Sequence, residues 1–127
     1  MIIHISGLEP KNKNGEYMSY RISKFIFYWG YITEVLKIEP EILLDPSDFE
    51  EDGPCQEVRQ FDKEKTEQIA HEIFERIKSG QLRNDIMNND NIIDFNKATD
   101  QILLIIDHFN EIAIFCQNSG GAYIVFD

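Results

Sequence analysis

Residues 96–127, NKATDQILLIIDHFNEIAIFCQNSGGAYIVFD, decide the fold. The stretch holds the densest apolar run of the chain, then Asn118-Ser119-Gly120-Gly121, then the short apolar run Ala122-Tyr123-Ile124-Val125-Phe126. Spacings of three and four put Ile102, Ile105, Ile106, Phe109, Ile112, Ala113 and Cys116 on one helical face. Asn96 or Thr99 can begin that helix, which is expected over 97–118. Gly120 suits a left-handed cap, where a residue without Cβ meets no steric penalty. The β-branched run after it reads as a buried strand at 122–126. The glycine pair follows a helix and precedes a strand, the reverse of a phosphate-binding loop, and no G-x-S-x-G frame surrounds Ser119. It is a helix stop.

A second short strand is expected at 2–6, Ile-Ile-His-Ile-Ser, ended by Gly7 and Pro10. Both terminal strands are apolar and would leave open edges, so they are expected to pair with each other. Between them, Ile22, Phe25, Ile26, Trp29, Ile32, Val35 and Leu36 recur at helical spacing and predict a helix over 19–37. Gly30 weakens it or marks a bend, and Glu39-Pro40 ends it. Residues 41–44 read as a short turn of helix. Asp62 is a good N-cap for a helix over 63–79, whose buried face is Ile69, Ala70, Ile73, Phe74 and Ile77, with Gly80 as its stop. Residues 81–91 are rich in Asn and Asp and read as a connection, pinned to the core by Ile86 and Met87. The fold class is therefore α+β and mainly helical. About three principal helices pack on a small sheet that includes the N- and C-terminal strands, in one domain over 1–127.

The chain of 127 residues is 43% hydrophobic and 28% charged, with nine Phe, five Tyr and one Trp. That composition supports a core without disulfides or metals. Its 23 acids against 12 bases give a formal charge of −11. Nucleic-acid affinity comes largely from Lys and Arg on phosphates, so the average field argues against DNA or RNA and in favour of a basic protein partner. No apolar run reaches the ~18 to 20 residues that span a bilayer, and the N-terminus lacks the pattern of a signal peptide. A cytoplasmic protein with reduced thiols at Cys55 and Cys116 is expected, although one disulfide between them is compatible with the sequence.

No catalytic or metal signature emerges. His4, His71 and His108 stand apart from one another and from the cysteines, and neither H-E-x-x-H nor C-x-x-C occurs. Cys116 falls on the apolar face of the last helix, where burial would make it inert. His108 lies eight residues earlier, about 12 Å along the axis. No cofactor is expected. The densest charge is in DPSDFEEDGP, residues 45–54, with five acids, two prolines and a glycine. It lacks the ligand order of an EF-hand. It reads as a surface loop, and Asp45, Asp48, Glu50, Glu51 and Asp52 are the expected docking residues for a basic partner. Tyr28 and Tyr31 of the first helix either widen its buried face, the favoured reading, or serve the partner as aromatic anchors, since tyrosine is common at interface centres.

A family likeness attaches to the end of the chain. The stretch Phe109-x5-Phe115-Cys116-Gln117-Asn118-Ser119-Gly120-Gly121-Ala122-Tyr123-Ile124 resembles the closing motif F-x-x-F-[LC]-x-x-[SC]-G-G-F-x-[IVC] of a group of small, acidic bacterial proteins. The resemblance extends to Trp29, Glu51-Asp52-Gly53 and the helix at 63–80, which follow the group's order from about Tyr20 onward. Ile112 stands where the motif has its first Phe, Ala122 displaces the later aromatic, and Glu51 replaces an Asn. The group has no established activity and is similar to proteins of toxin–immunity settings. The resemblance thus implies a non-enzymatic immunity protein that neutralises a toxin. A small ligand-binding domain or enzyme, and a structural or regulatory subunit forming a homodimer through the aromatic helix, are the other readings compatible with the sequence.

Overall fold

A computed structural model describes residues 2–7, 21–44, 57–88 and 99–126. In chain order the elements are β1 (Ile2–Gly7), β2 (Arg21–Phe25), α1 (Ile26–Gly30), a π-helical turn (Tyr31–Val35), β3 (Glu41–Leu44), β4 (Glu57–Phe61), α2 (Lys63–Ser79), α3 (Gln81–Asn88), α4 (Thr99–Asn118) and β5 (Ala122–Phe126). The class is α+β and mainly helical, with four α-helices packed, among the described residues, on a five-stranded antiparallel sheet. Its strand order is β2-β1-β5-β4-β3.

The two terminal strands do pair. β1 runs antiparallel to β5 with Ile3 opposite Phe126 and Ile5 opposite Ile124. β5 is thereby the central strand, joining the ribbon β1–β2 to the ribbon β3–β4. Strand alternation sorts the side chains by face. Ile3, Ile5, Phe61, Ala122 and Ile124 share one face and are buried in the core. Ile2, Phe25 and Tyr123 lie on the other and stay exposed. The buried strand residues join Ile69, Ile73, Leu82, Ile86, Phe109, Ile112 and Phe115 of the helices in one cluster.

The first expected helix is corrected. Residues 21–25 are a strand, and the helix begins only at Ile26. Ile22 and Phe25 fit a helical spacing, but the exposed–covered alternation of Arg21-Ile22-Ser23-Lys24-Phe25 is that of a strand. Pairing with β1, Ile5 opposite Ile22, settles the choice. At Gly30 the helix widens into the π turn, closed by Leu36 N–H donating to the Tyr31 carbonyl at 3.0 Å. Residues 41–44 are likewise a strand and not a helical turn, because the β4 ladder outweighs the local preference of Glu and Leu.

Helix α2 matches the sequence reading from end to end. The Asp62 carboxylate accepts from Lys65 N–H at 2.8 Å, and Gly80 closes the helix at φ 81°. Residues 81–88, read as a connection, form α3 instead. Leu82 and Ile86, one turn apart, are both fully buried, and that burial offsets the poor helix propensity of the Asn and Asp around them. Ile86 does pin the segment, but Met87 is turned outward.

Gly30 and Gly80 predict opposite outcomes. No neighbouring atom would meet a Cβ at either position, and only Gly80 has positive φ. Gly30→Ala is expected to stabilise by roughly 0.5–1 kcal/mol. Gly80→Ala is expected to destabilise by about 1–2 kcal/mol, the strain of a side chain in the left-handed region. Urea denaturation of both variants checks the pair, and equal signs would contradict the backbone assignment.

Candidate functional site

Sequence position gives no hint that Lys24 and His108 meet, yet β2 and α4 bring them to one cleft. Lys24 shares the helix-facing side of β2 with Ile22. Its side chain is only 10% exposed, and its ammonium pairs with Glu111 of α4. Burying the stem while the charged head finds a partner is the usual behaviour of lysine at such an edge. Three residues before Glu111 on the same helix, His108 Nδ1 lies 2.9 Å from the Tyr28 hydroxyl.

Tyr28 itself is buried, its ring edge-on to Phe109 at 4.8 Å. Burial, and secondarily the Glu111 charge, push its pKa upward, so the hydroxyl keeps its proton. The hydroxyl and His108 Nδ1 thus share one hydrogen bond, whose direction depends on the imidazole tautomer. Glu111 is held below the ordinary carboxylate range, chiefly by its hydrogen bond from Lys24, and is ionised at neutral pH.

Between these elements lies a shallow open cleft of about 120 Å³, lined by Ile2, Ser23, Lys24, Phe25 and His108. Ser23 Oγ is 2.8 Å from His4 Nδ1, the separation of a nucleophile and its base. The two residues are direct partners in the β1–β2 register, so the bond is the polar cross-strand pair of an antiparallel ribbon. The cleft sets the apolar Ile2 and Phe25 beside Ser23, His108 and an ion pair already satisfied internally.

The residues expected to form the site fare differently. Asp45, Asp48, Glu50, Glu51 and Asp52 lie outside the described residues, as does Cys55. Leu44 and Glu57, the described residues on either side of that segment, are opposite partners in the β3–β4 ladder. For Tyr28 and Tyr31 the buried-face reading holds and the anchor role is corrected. Both are buried and cannot serve as exposed anchors. Tyr31 is edged against Phe109 at 4.8 Å, and its hydroxyl donates to Asp85 at 2.7 Å. Both tyrosines pack on Phe109 of α4.

Cys116 is buried, and burial pushes its thiol up to about 12, which leaves it protonated and unreactive. His71 stands exposed on α2. Among the described residues no group of three or more His, Cys, Asp or Glu side chains is placed to hold a metal, and no helix is long and apolar enough to cross a membrane.

The cleft was invisible in the sequence for a specific reason. Lys24 and Glu111 are 87 positions apart, and assigning residue 24 to a helix hides its orientation toward α4. The one local signal was the i, i+3 pair His108–Glu111, which places both on one side of the helix. No family model, curated protein or solved structure matches this chain.

Proposed function

We propose that the protein is a non-enzymatic binding protein of the bacterial cytoplasm, an immunity-type inhibitor that covers a basic toxin. The observation that carries this reading is the placement of charge. The chain has an excess of 11 acids, 23 less 12, and residues 45–52 hold five acids and no base. Nearly half of the excess sits in eight consecutive residues. The described residues that flank this segment, Leu44 and Glu57, are partners in the β3–β4 ladder, and β3 is an edge strand of the sheet. A concentrated negative patch speeds encounter with a cationic surface and penalises wrong partners. The likeness of the C-terminal ending to small acidic immunity-like proteins points the same way.

The test is co-purification with the product of the adjacent gene, followed by charge reversal of Asp48, Glu50, Glu51 and Asp52 to Lys. Reversal is expected to weaken the complex at least about tenfold at low salt and to flatten its salt dependence. Unchanged affinity and salt dependence would remove the segment from the interface.

A further inference from the structure

We infer that the cleft between β2 and α4 is a second contact point for the cationic partner, and that it takes one aliphatic or aromatic side chain flanked by Lys or Arg. The inference rests on the cationic-partner reading above and adds a site that the charge pattern alone does not reveal.

Size sets the first limit. A cavity of about 150 Å³ holds a benzene ring. A cleft of about 120 Å³ is smaller but open to solvent, so it takes one leucine-sized side chain or part of a ring, and not a whole cofactor.

The walls set the second. Phe25 is 57% exposed and Ile2 36%, and the two are direct cross-strand partners at the mouth of the cleft. Large apolar side chains left side by side in water gain by covering each other with a third.

Charge sets the third. Lys24 is already neutralised by Glu111, whose own side chain remains 58% exposed. Asp107 is also exposed, one turn before Glu111 on the same side of α4. An anionic ligand would meet these two carboxylates and the −11 field of the chain, whereas a flanking Lys or Arg would be drawn to them. Leu104, exposed one turn before His108, extends the apolar surface along the helix. A hydrophobic peg between basic residues satisfies all three limits. A free carboxylate, a phosphate or a second copy of this acidic chain does not satisfy the charge limit.

The experiment is an NMR titration of the full chain with three peptides, acetyl-Lys-Phe-Lys-amide, acetyl-Lys-Ala-Lys-amide and acetyl-Glu-Phe-Glu-amide. The first is expected to give saturable shifts at Ile2, Ser23, Lys24, Phe25 and His108, with an affinity at least about tenfold above the other two. Phe25→Ser, at an exposed position that leaves the core intact, is expected to abolish those shifts and leave any response of residues 45–52 unchanged. Equal binding of the acidic or the alanine peptide overturns the inference, as do cleft shifts that survive Phe25→Ser. Shifts confined to residues 45–52 remove the cleft but leave the proposed function standing. Cleft shifts with no response at 45–52 support the cleft and count against the acidic segment.

Discussion

Replacing Phe109 by alanine is expected to remove about 3–5 kcal/mol of stability, the usual cost of truncating a fully buried phenylalanine. Phe109 is fully buried, and its ring lies 4.8 Å from both Tyr28 and Tyr31. It is thus the point where α4 meets α1 and the π turn. Truncation leaves a cavity that cannot readily collapse, because each tyrosine is also held by its own hydroxyl, Tyr28 to His108 and Tyr31 to Asp85. A domain of ordinary stability has about 5–15 kcal/mol in total, so the variant would be close to unfolding at room temperature. Urea denaturation measures the loss. Phe109→Leu, which keeps most of the volume, should cost less than half as much. A loss below about 1 kcal/mol for the alanine variant would mean that Phe109 is not packed between the two rings.

The second large effect is expected at Asp85. Its Oδ2 accepts from the Tyr31 hydroxyl at 2.7 Å and from Arg76 Nη1 at 3.1 Å, and its Oδ1 accepts from Gln81 Nε2 at 2.7 Å. One carboxylate on α3 therefore ties together the π turn, the end of α2 and the start of its own helix. Asp85→Ala removes three acceptor bonds at once and leaves the Arg76 guanidinium, 26% exposed, without its close partner. Glu72 at 4.0 Å is too distant from Arg76 Nε to replace it by a hydrogen bond, and that Nε is buried without any hydrogen-bond partner among the described residues.

Breaking charged hydrogen bonds of this kind costs about 1.5–3 kcal/mol each when solvated ends can relax, and the parts are not additive, so a total near 2–4 kcal/mol is expected. A thermodynamic cycle with Tyr31→Phe isolates one arm. A coupling energy near zero between Tyr31 and Asp85 would show that the hydroxyl finds water equally well. Asp85→Asn keeps the acceptor oxygen and should lose distinctly less than alanine.

The two sites show how far the sequence can be read. Residues 63–80 were legible to the residue, because cap, dipole, apolar stripe and glycine stop all agree with one another. The terminal strands and their pairing followed from composition and from the need to cover open edges. Residues 21–25 were misread because Ile22, Phe25 and Ile26 satisfy a helical period by coincidence. Only the β1 partner, a long-range fact, selects the strand. Residues 81–88 hid their helix behind Asn and Asp, whose penalty is outweighed by two buried side chains and by the Asp85 junction. The cleft was illegible for a related reason. It needs the direction of Lys24, and direction inverts when a residue moves from helix to strand. The burial of Tyr28 and Tyr31 depends on Phe109, a partner about 80 positions away in the chain.

The adjacency of β1 and β5 also bears on how the chain acquires its structure. Residues 3 and 126 are neighbours in the ladder, and β5 is the element that joins the β2–β1 ribbon to the β4–β3 ribbon. Contacts between such distant positions close last, since the entropy of so large a loop must be overcome before they contribute. During synthesis the first ribbon waits, its inner edge unpaired, until residue 126 has left the ribosome. An unpaired edge is the surface on which strands aggregate or exchange between chains. The chain is therefore vulnerable until β5 docks, and Ala122–Phe126 act as the keystone that ends the exposure.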